Sequence, residues 1–387
     1  MKIACASLFD PESISSWSGC SHYLLEALRQ KPGTTIEIVG PLLEHHGVLH
    51  RTKGKVYNWL GKNYLPNLSP ECLQFFAAQV DEKTNKSDAD LILSLDAVPI
   101  AHLKTSKPIM YYWDCTFEGN LEYPWFANLA RESVEAGHRA EQLALDVCDI
   151  AVFSSQWAIR SAVERYNISP TKLRLAPLGA NLVGEQSRSA VESAIKERPR
   201  TTCKLLFLGI DWKRKGGDLA YDLACTLNAR GLPTELAIIG CDPEVDGPLP
   251  NYVTAYGFLD KSSPANRQVI ETLLSQSHFL VVPSQAESFG VVFCEASSFG
   301  TPSLSRRVGG IPEAIHEGLN GFTFASNASV EHYSETILGL FSDYSKYEAL
   351  ALSSYEQYLM RLNWSETATA ILRYGEEAIG LRAGNIV

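Results

Sequence analysis

The sequence predicts an α/β protein of two doubly wound domains facing a central cleft, and three observations lead there. Short apolar runs alternate with amphipathic helical stretches along the chain, the rhythm of parallel strands covered on both faces by helices. The chain has 387 residues, more than one hydrophobic core organises. The apolar rhythm breaks between Pro177 and about Arg200 into Gly, Asn, Gln, Ser and charged residues, then restarts. The expected division is a first domain over 1–182, a linker over 183–199, a second domain over 200–365, and a helix over 366–387 packing back toward the first domain.

The first strand is expected at 2–8, where a short apolar run meets an acidic turn at Asp10 and carries no cleavage pattern of a signal peptide. A helix over 21–30 puts Leu24, Leu25 and Leu28 on one face, and a strand at 34–40 completes a βαβ unit. Further strands are expected at 91–95, 109–113 and 150–154. The second domain repeats the alternation with strands near 203–208, 234–239, 252–256, 278–283 and 302–304, and 366–380 is amphipathic. No internal repeat is visible, which excludes solenoids and propellers. Ligands of open parallel sheets bind beyond the carboxyl ends of the strands, so the residues just after each strand carry the functional information.

An apolar fraction of 45% and a charged fraction of 20% are those of a globular protein. The net charge of -10 argues against a nucleic-acid polymer as partner. Nine cysteines without a CxxC spacing read as buried free thiols in a reducing compartment, hence a cytoplasmic protein. No apolar stretch approaches the ~20 residues that span a bilayer, so membrane contact has to be peripheral.

Two segments carry candidate chemistry. Gly209-Ile210-Asp211-Trp212-Lys213-Arg214-Lys215-Gly216-Gly217-Asp218 follows a strand and leads into a helix. Three adjacent cations, a glycine pair and a helix start suit a diphosphate; the alternative is a solvated basic turn. In Phe279 to Ala296 a buried strand ends at Pro283, a loop presents Glu287, and a helix starts near Gly290. Glu287 can accept hydrogen bonds from sugar hydroxyls while the amides from Phe289 to Val292 face a phosphate. Glu295, in the second turn, is costly to bury without donors, which a ribose diol supplies. The alternatives are a carboxylate at the helix start for Glu287 and a structural ion pair for Glu295.

Glu287-x7-Glu295, set in Pro-Ser-x-x-Glu-Ser-Phe-Gly-x-x-x-x-Glu-Ala, resembles the hallmark of retaining GT-B glycosyltransferases of family GT4 (glycosyl transferase group 1). Gly300-Thr301-Pro302, Gly309-Gly310-Ile311-Pro312-Glu313 and Gly318-Leu319-Asn320-Gly321 continue the match in order. The resemblance is close over 200–325 and diffuse over the N-terminal half.

It implies a GT-B architecture of two Rossmann-like domains, acceptor side first and donor side second, closing over the donor. It further implies that Glu287 contacts the donor sugar, that Glu295 holds the ribose, and that amides at Ser288, Phe289, Gly290 and Val291 steady sugar and phosphate. Lys215 matches the lysine on the diphosphate. The arginine that usually follows Gly209 is replaced by Ile210; Arg214 is assigned its role, with Lys213 as substitute. In the first domain, Gly19 of Ser15-Ser16-Trp17-Ser18-Gly19 is assigned to the donor phosphate, the alternative being an ordinary loop and cap. Asp114, at the end of Tyr111-Tyr112-Trp113-Asp114, is the candidate for positioning the acceptor hydroxyl, the alternative being a helix cap.

Trp113, Phe117, Tyr123, Trp125 and Phe126 read mostly as core, and His138 as a packing residue. Residues 45–64 form a basic, aromatic stretch in an acidic chain. Weak peripheral contact with an anionic membrane, a grip on an acidic acceptor, and a solvated acceptor-side loop all stay open for it. Asp88-Ala89-Asp90 imitates a metal-binding pair but precedes its strand, at the wrong end of a sheet for a ligand. No cofactor and no required metal are therefore expected.

The resulting expectation is a retaining, metal-independent transferase. It moves a hexose-type sugar from a UDP or GDP sugar to a saccharide, lipid-linked or small-molecule hydroxyl. The alternatives are an epimerase or hydrolase of the same fold and a non-catalytic nucleotide-sugar-binding module.

Overall fold

The computed structural model describes residues 1–121 and 123–384, and the side chain of Trp125 also lies outside the described part. Two compact units emerge: Met1–Pro177 with the residues from Trp364 on, and Leu178–Asn363.

The first unit holds a wholly parallel sheet of β1 (Lys2–Ala6), β2 (Thr35–Val39), β3 (Leu91–Ser94), β4 (Ile109–Trp113), β5 (Ile150–Phe153) and β6 (Leu173–Leu175), in the order β2-β1-β3-β4-β5-β6. Its central strands are buried, which explains their unbroken apolar runs. The helix Cys20–Arg29 lays Leu24, Leu25 and Leu28 on the core as its spacing predicts. The last helix, Trp364–Gly384, packs on that helix and on β3 and β4. Thr367 Oγ1 donates to Pro177 O at 2.7 Å and Arg382 pairs with Asp149 at 2.8 Å.

The second unit holds β7 (Cys203–Leu208), β8 (Thr234–Ile239), β9 (Val253–Ala255), β10 (Phe279–Val281), β11 (Ser303–Arg306) and β12 (Gly321–Phe324), again all parallel, in the order β12-β11-β10-β7-β8-β9. Counted within the unit this is the 3-2-1-4-5-6 order of a dinucleotide-binding sheet, and it reverses between β7 and β10.

Residues 183–199, read from the sequence as a linker, carry the helix Arg188–Glu197 and lie within this unit. Behind the helix, the buried Arg198 uses all five guanidinium N–H groups. They reach the carbonyls of Ser275, Phe299 and Gly300, Thr301 Oγ1 and the Tyr347 hydroxyl, at 2.7–3.0 Å.

Candidate functional site

The site of the second unit is built by the two loops that leave β7 and β10, where the strand order reverses. After β7 the chain makes one helical turn, Trp212–Lys215, capped by Asp211, whose Oδ1 accepts Arg214 N at 3.0 Å. Gly216 follows at φ +79°, and a Cβ there would lie 2.3 Å from Pro283 O. Only glycine lets this loop press against the chain leaving β10. Gln285 N then donates to Arg214 O at 2.7 Å, joining the two loops.

The joint brings Lys215, Arg214 and Glu287 together. Lys215 Nζ pairs with Glu287 Oε2, and Arg214 Nη1 stands 3.8 Å from the same oxygen while donating to Ala286 O at 3.1 Å. All three side chains are nearly buried. The backbone of Glu287 is fixed from below by Gly310 N, 3.0 Å from its carbonyl. Gly309 holds φ +52° there, and a Cβ would meet that carbonyl at 1.9 Å. The Gly309-Gly310 pair therefore shapes the Glu287 loop.

The side chains of the loop after β7 part company. Gly209 lies under the stem of Lys215, its built Cβ 2.8 Å from Lys215 Cγ. Ile210 is exposed, and Lys213 turns away to Asp218, 3.0 Å from both carboxylate oxygens. Lys213, the sequence-level substitute for the arginine, is not brought to the cluster, whereas Arg214 is.

The helix Val291–Ser298 starts from Gly290 at φ +91°, with Ser288 and Phe289 buried ahead of it and Val291 as its first residue. Glu295, on its second turn, is 1% exposed. Lys261 Nζ reaches its Oε1 at 2.5 Å, and among the described residues its buried Oε2 has no hydrogen-bond partner. Leaving a buried carboxylate oxygen without a donor costs on the order of 1–3 kcal/mol, so this oxygen is suited to a hydroxyl brought by a ligand. Lys261 escapes sequence reasoning because it lies 34 residues from its partner, in an ordinary polar turn. Asn320, of the Gly318–Gly321 motif, is structural: its amide donates to Ala314 O and Ser297 Oγ and accepts from His316 N.

In the first unit, Gly19 caps the helix Cys20–Arg29 at φ +87°. Trp17 and Ser18 before it also take positive φ, 44° and 55°, a conformation that costs a side-chain-bearing residue of order 1–3 kcal/mol. Trp17 is held there by stacking on Trp113, ring centroids 4.4 Å apart at 20°, with the edge of Tyr112 at 5.9 Å. The loop after β1 is thus joined to the end of β4, next to the half-buried Asp114. Sequence reading missed Trp17.

His138 packs edge-on to Phe117, and Nδ1 lies 3.0 Å from the Tyr166 hydroxyl. Burial lowers its pKa. Phe117 and Tyr123 are core residues, and the side chain of Trp125 lies outside the described part. Asp88 pairs with Lys2 Nζ, and Asp90 accepts Lys2 N at 2.7 Å, so this pair closes the amino end of β1.

Two parallel six-stranded units of this kind make up the GT-B fold. Sucrose-phosphate synthase from Thermosynechococcus elongatus is similar with a TM-score of 0.69 at 18% identity, over 98% of this chain and 100% of that one. HepE from Anabaena, solved in complex with UDP-glucose, is similar with a TM-score of 0.62 at 15% identity, over 97% and 100%.

Residues 190–357 match the family described as glycosyl transferases group 1. The D-inositol 3-phosphate glycosyltransferase of Corynebacterium aurimucosum is 24% identical over 259 residues, 64% of this chain and 61% of the relative. That of Mycobacterium avium is 31% identical over 116 residues, 30% and 27%. The matched part is less than two thirds of either relative's length.

Proposed function

We propose that the protein is a glycosyltransferase that moves a hexose-type sugar from a nucleoside-diphosphate sugar to an acceptor hydroxyl, with retention of configuration and without a required metal. The observation that carries this reading is the convergence of Lys215, Arg214 and Glu287 where the strand order of the second unit reverses. Lys215 and Arg214 offset the charge that grows on the diphosphate as the glycosidic bond breaks, the main catalytic contribution in this scheme. Glu287 accepts hydrogen bonds from the sugar hydroxyls, and Glu295 Oε2 accepts one from the ribose while Lys261 holds Oε1. The acceptor hydroxyl attacks from the face the diphosphate leaves, the bond from the sugar to the diphosphate breaks, and the hydroxyl proton passes to the departing diphosphate oxygen. Two cations take the place of a divalent ion. UDP is preferred over GDP as donor nucleotide because a protein of similar fold has been solved with UDP-glucose.

The replacement of the usual arginine by Ile210 would favour a binding module. Against it stands Arg214, whose guanidinium lies on the Glu287 loop. A thermal-shift panel of nucleotides and nucleotide sugars, followed by product analysis, tests the reading. Stabilisation by one nucleoside diphosphate and transfer with a retained anomer by NMR are expected. An inverted anomer overturns retention, and activity abolished by a chelator and restored by manganese overturns metal independence. Donor consumption without acceptor favours the hydrolase or epimerase, and donor binding without turnover favours the module.

A further inference from the structure

We propose that the outward face of the helix Val48–Trp59, in the first unit, is a docking surface for an anionic lipid bilayer. The helix has no buried residue. Its inner side is tied down through Tyr64: the ring of Tyr57 stacks on it at 5.6 Å, and His50 Nδ1 lies 2.8 Å from its hydroxyl. Lys53 completes the attachment by pairing with Glu132 at 2.7 Å. Residues 48, 52, 56 and 59 follow one line of the helix, and 49, 56 and 60 the next. These lines carry Val48, Leu49, Val56, Trp59 and Leu60, which are 81%, 66%, 51%, 84% and 55% exposed.

Apolar side chains so exposed at both ends of one helix face, with Thr52 and the paired Lys53 between them, mark an interaction surface, and the charges beside them say with what. The chain carries a net charge of -10, yet no Asp or Glu occurs between Glu44 and Glu71. Arg51, Lys55 and Lys62 are exposed along this segment and form no ion pair among the described residues. An apolar stripe ending in tryptophan and flanked by arginine and lysine is the pattern of a helix lying in a bilayer surface, rings and aliphatic chains inserted and cations on the headgroups. No helix among the described residues is long and apolar enough to cross a membrane, so the contact is peripheral. It does not depend on the transfer reading, because none of these residues has a donor role.

Co-sedimentation of the full chain with sucrose-loaded vesicles tests this, comparing phosphatidylcholine alone with phosphatidylcholine mixed with phosphatidylglycerol. Binding to the mixed vesicles alone, weakened by salt, is expected. R51Q/K55Q/K62Q is expected to lower partitioning on the order of a hundredfold, about fivefold per cation. V56S/W59S is expected to lower it by about tenfold or more. Circular dichroism and melting temperature should match the parent, since every substituted side chain is exposed. No association with anionic vesicles at low salt overturns the proposal, and so does parental binding by either variant. A self-associating species in sedimentation velocity that V56S/W59S abolishes, with vesicles ignored, also overturns it and makes the face a protein interface.

Discussion

Replacing Lys215 by Met separates what the ammonium does for the fold from what it does for a donor. Lys215 and Glu287 are 11% and 12% exposed, so the pair is largely desolvated. Removing one partner of a buried pair costs about 3–5 kcal/mol. Arg214, 3.8 Å from the same oxygen, compensates in part and points to the lower end. For a unit the size of Leu178–Asn363, about 3 kcal/mol lowers its melting temperature by about 6–12 °C. Glu287→Gln in the same chain replaces the stranded carboxylate by a neutral amide and should return most of that loss. Donor affinity should behave otherwise. A charge-assisted hydrogen bond contributes about 1.5–3 kcal/mol, so UDP should bind roughly 10–150-fold more weakly to K215M. It should remain equally weak in K215M/E287Q. Isothermal titration with UDP, below the transition of every variant, makes the comparison. UDP affinity in K215M within about twofold of the parent, or restored together with stability in the double variant, would refute the diphosphate role and leave Lys215 a structural counter-ion.

Three further outcomes follow from single groups. Glu295→Gln should abolish discrimination between UDP and 2′-deoxy-UDP, which the parent is expected to show at about tenfold or more in Kd by titration. Lys261, about one third exposed, stays solvated in this variant. Arg198→Met should cost on the order of 4 kcal/mol in urea denaturation, because three carbonyls and two hydroxyls lose their donor, and Arg198→Lys should rescue little of it. Burial, with Arg198 nearby, lowers the pKa of His278 from 6.5 to about 3. Its Nδ1 accepts from Lys204 N at 2.9 Å, and its Nε2 lies 3.0 Å from Pro199 O. A base lowered in the folded state contributes stability that is full above pH 6.5 and lost as pH falls toward 3. Melting at pH 5 should therefore show about 2 kcal/mol of loss from this group, and His278→Gln should remove that part of the slope.

Strands buried on both faces were legible because each is a short unbroken apolar run, as in Cys203–Leu208 and Ile109–Trp113. The edge strands β6 and β12 were not. They have three and four residues, and Leu173-Arg174-Leu175 is interrupted by a charge. The helix Arg188–Glu197 was missed because it buries only Val191 and Ile195, one apolar pair among polar residues. At the site, the residue types after β7 and β10 were legible, but their directions were not. Within a single helical turn Lys213 faces Asp218 while its neighbours Arg214 and Lys215 face Glu287. Trp17 and Lys261 owe their roles to partners 96 and 34 residues away, on other elements.

The charge balance of the cluster explains how an acidic chain keeps a cationic loop in place. Arg214 lies between two carboxylates, Asp211 at 3.5 Å from Nε and Glu287 at 3.8 Å from Nη1, while Lys215 shares Glu287. Two positive and two negative groups leave the loop locally neutral, so it is not driven apart by its own charge. The cations are nonetheless fixed by short contacts whose backbone frame is set by Gly216 and Gly309. Fixed charges lose little on meeting a ligand, because their orientation was already imposed during folding. Neutrality also means that attraction toward a diphosphate cannot come from net charge. It has to come from the short range over which Lys215 and Arg214 present N–H groups, together with the amides that open the helix Val291–Ser298. Added salt should therefore weaken UDP binding to this loop far less than it weakens vesicle binding to the exposed cations of the helix Val48–Trp59.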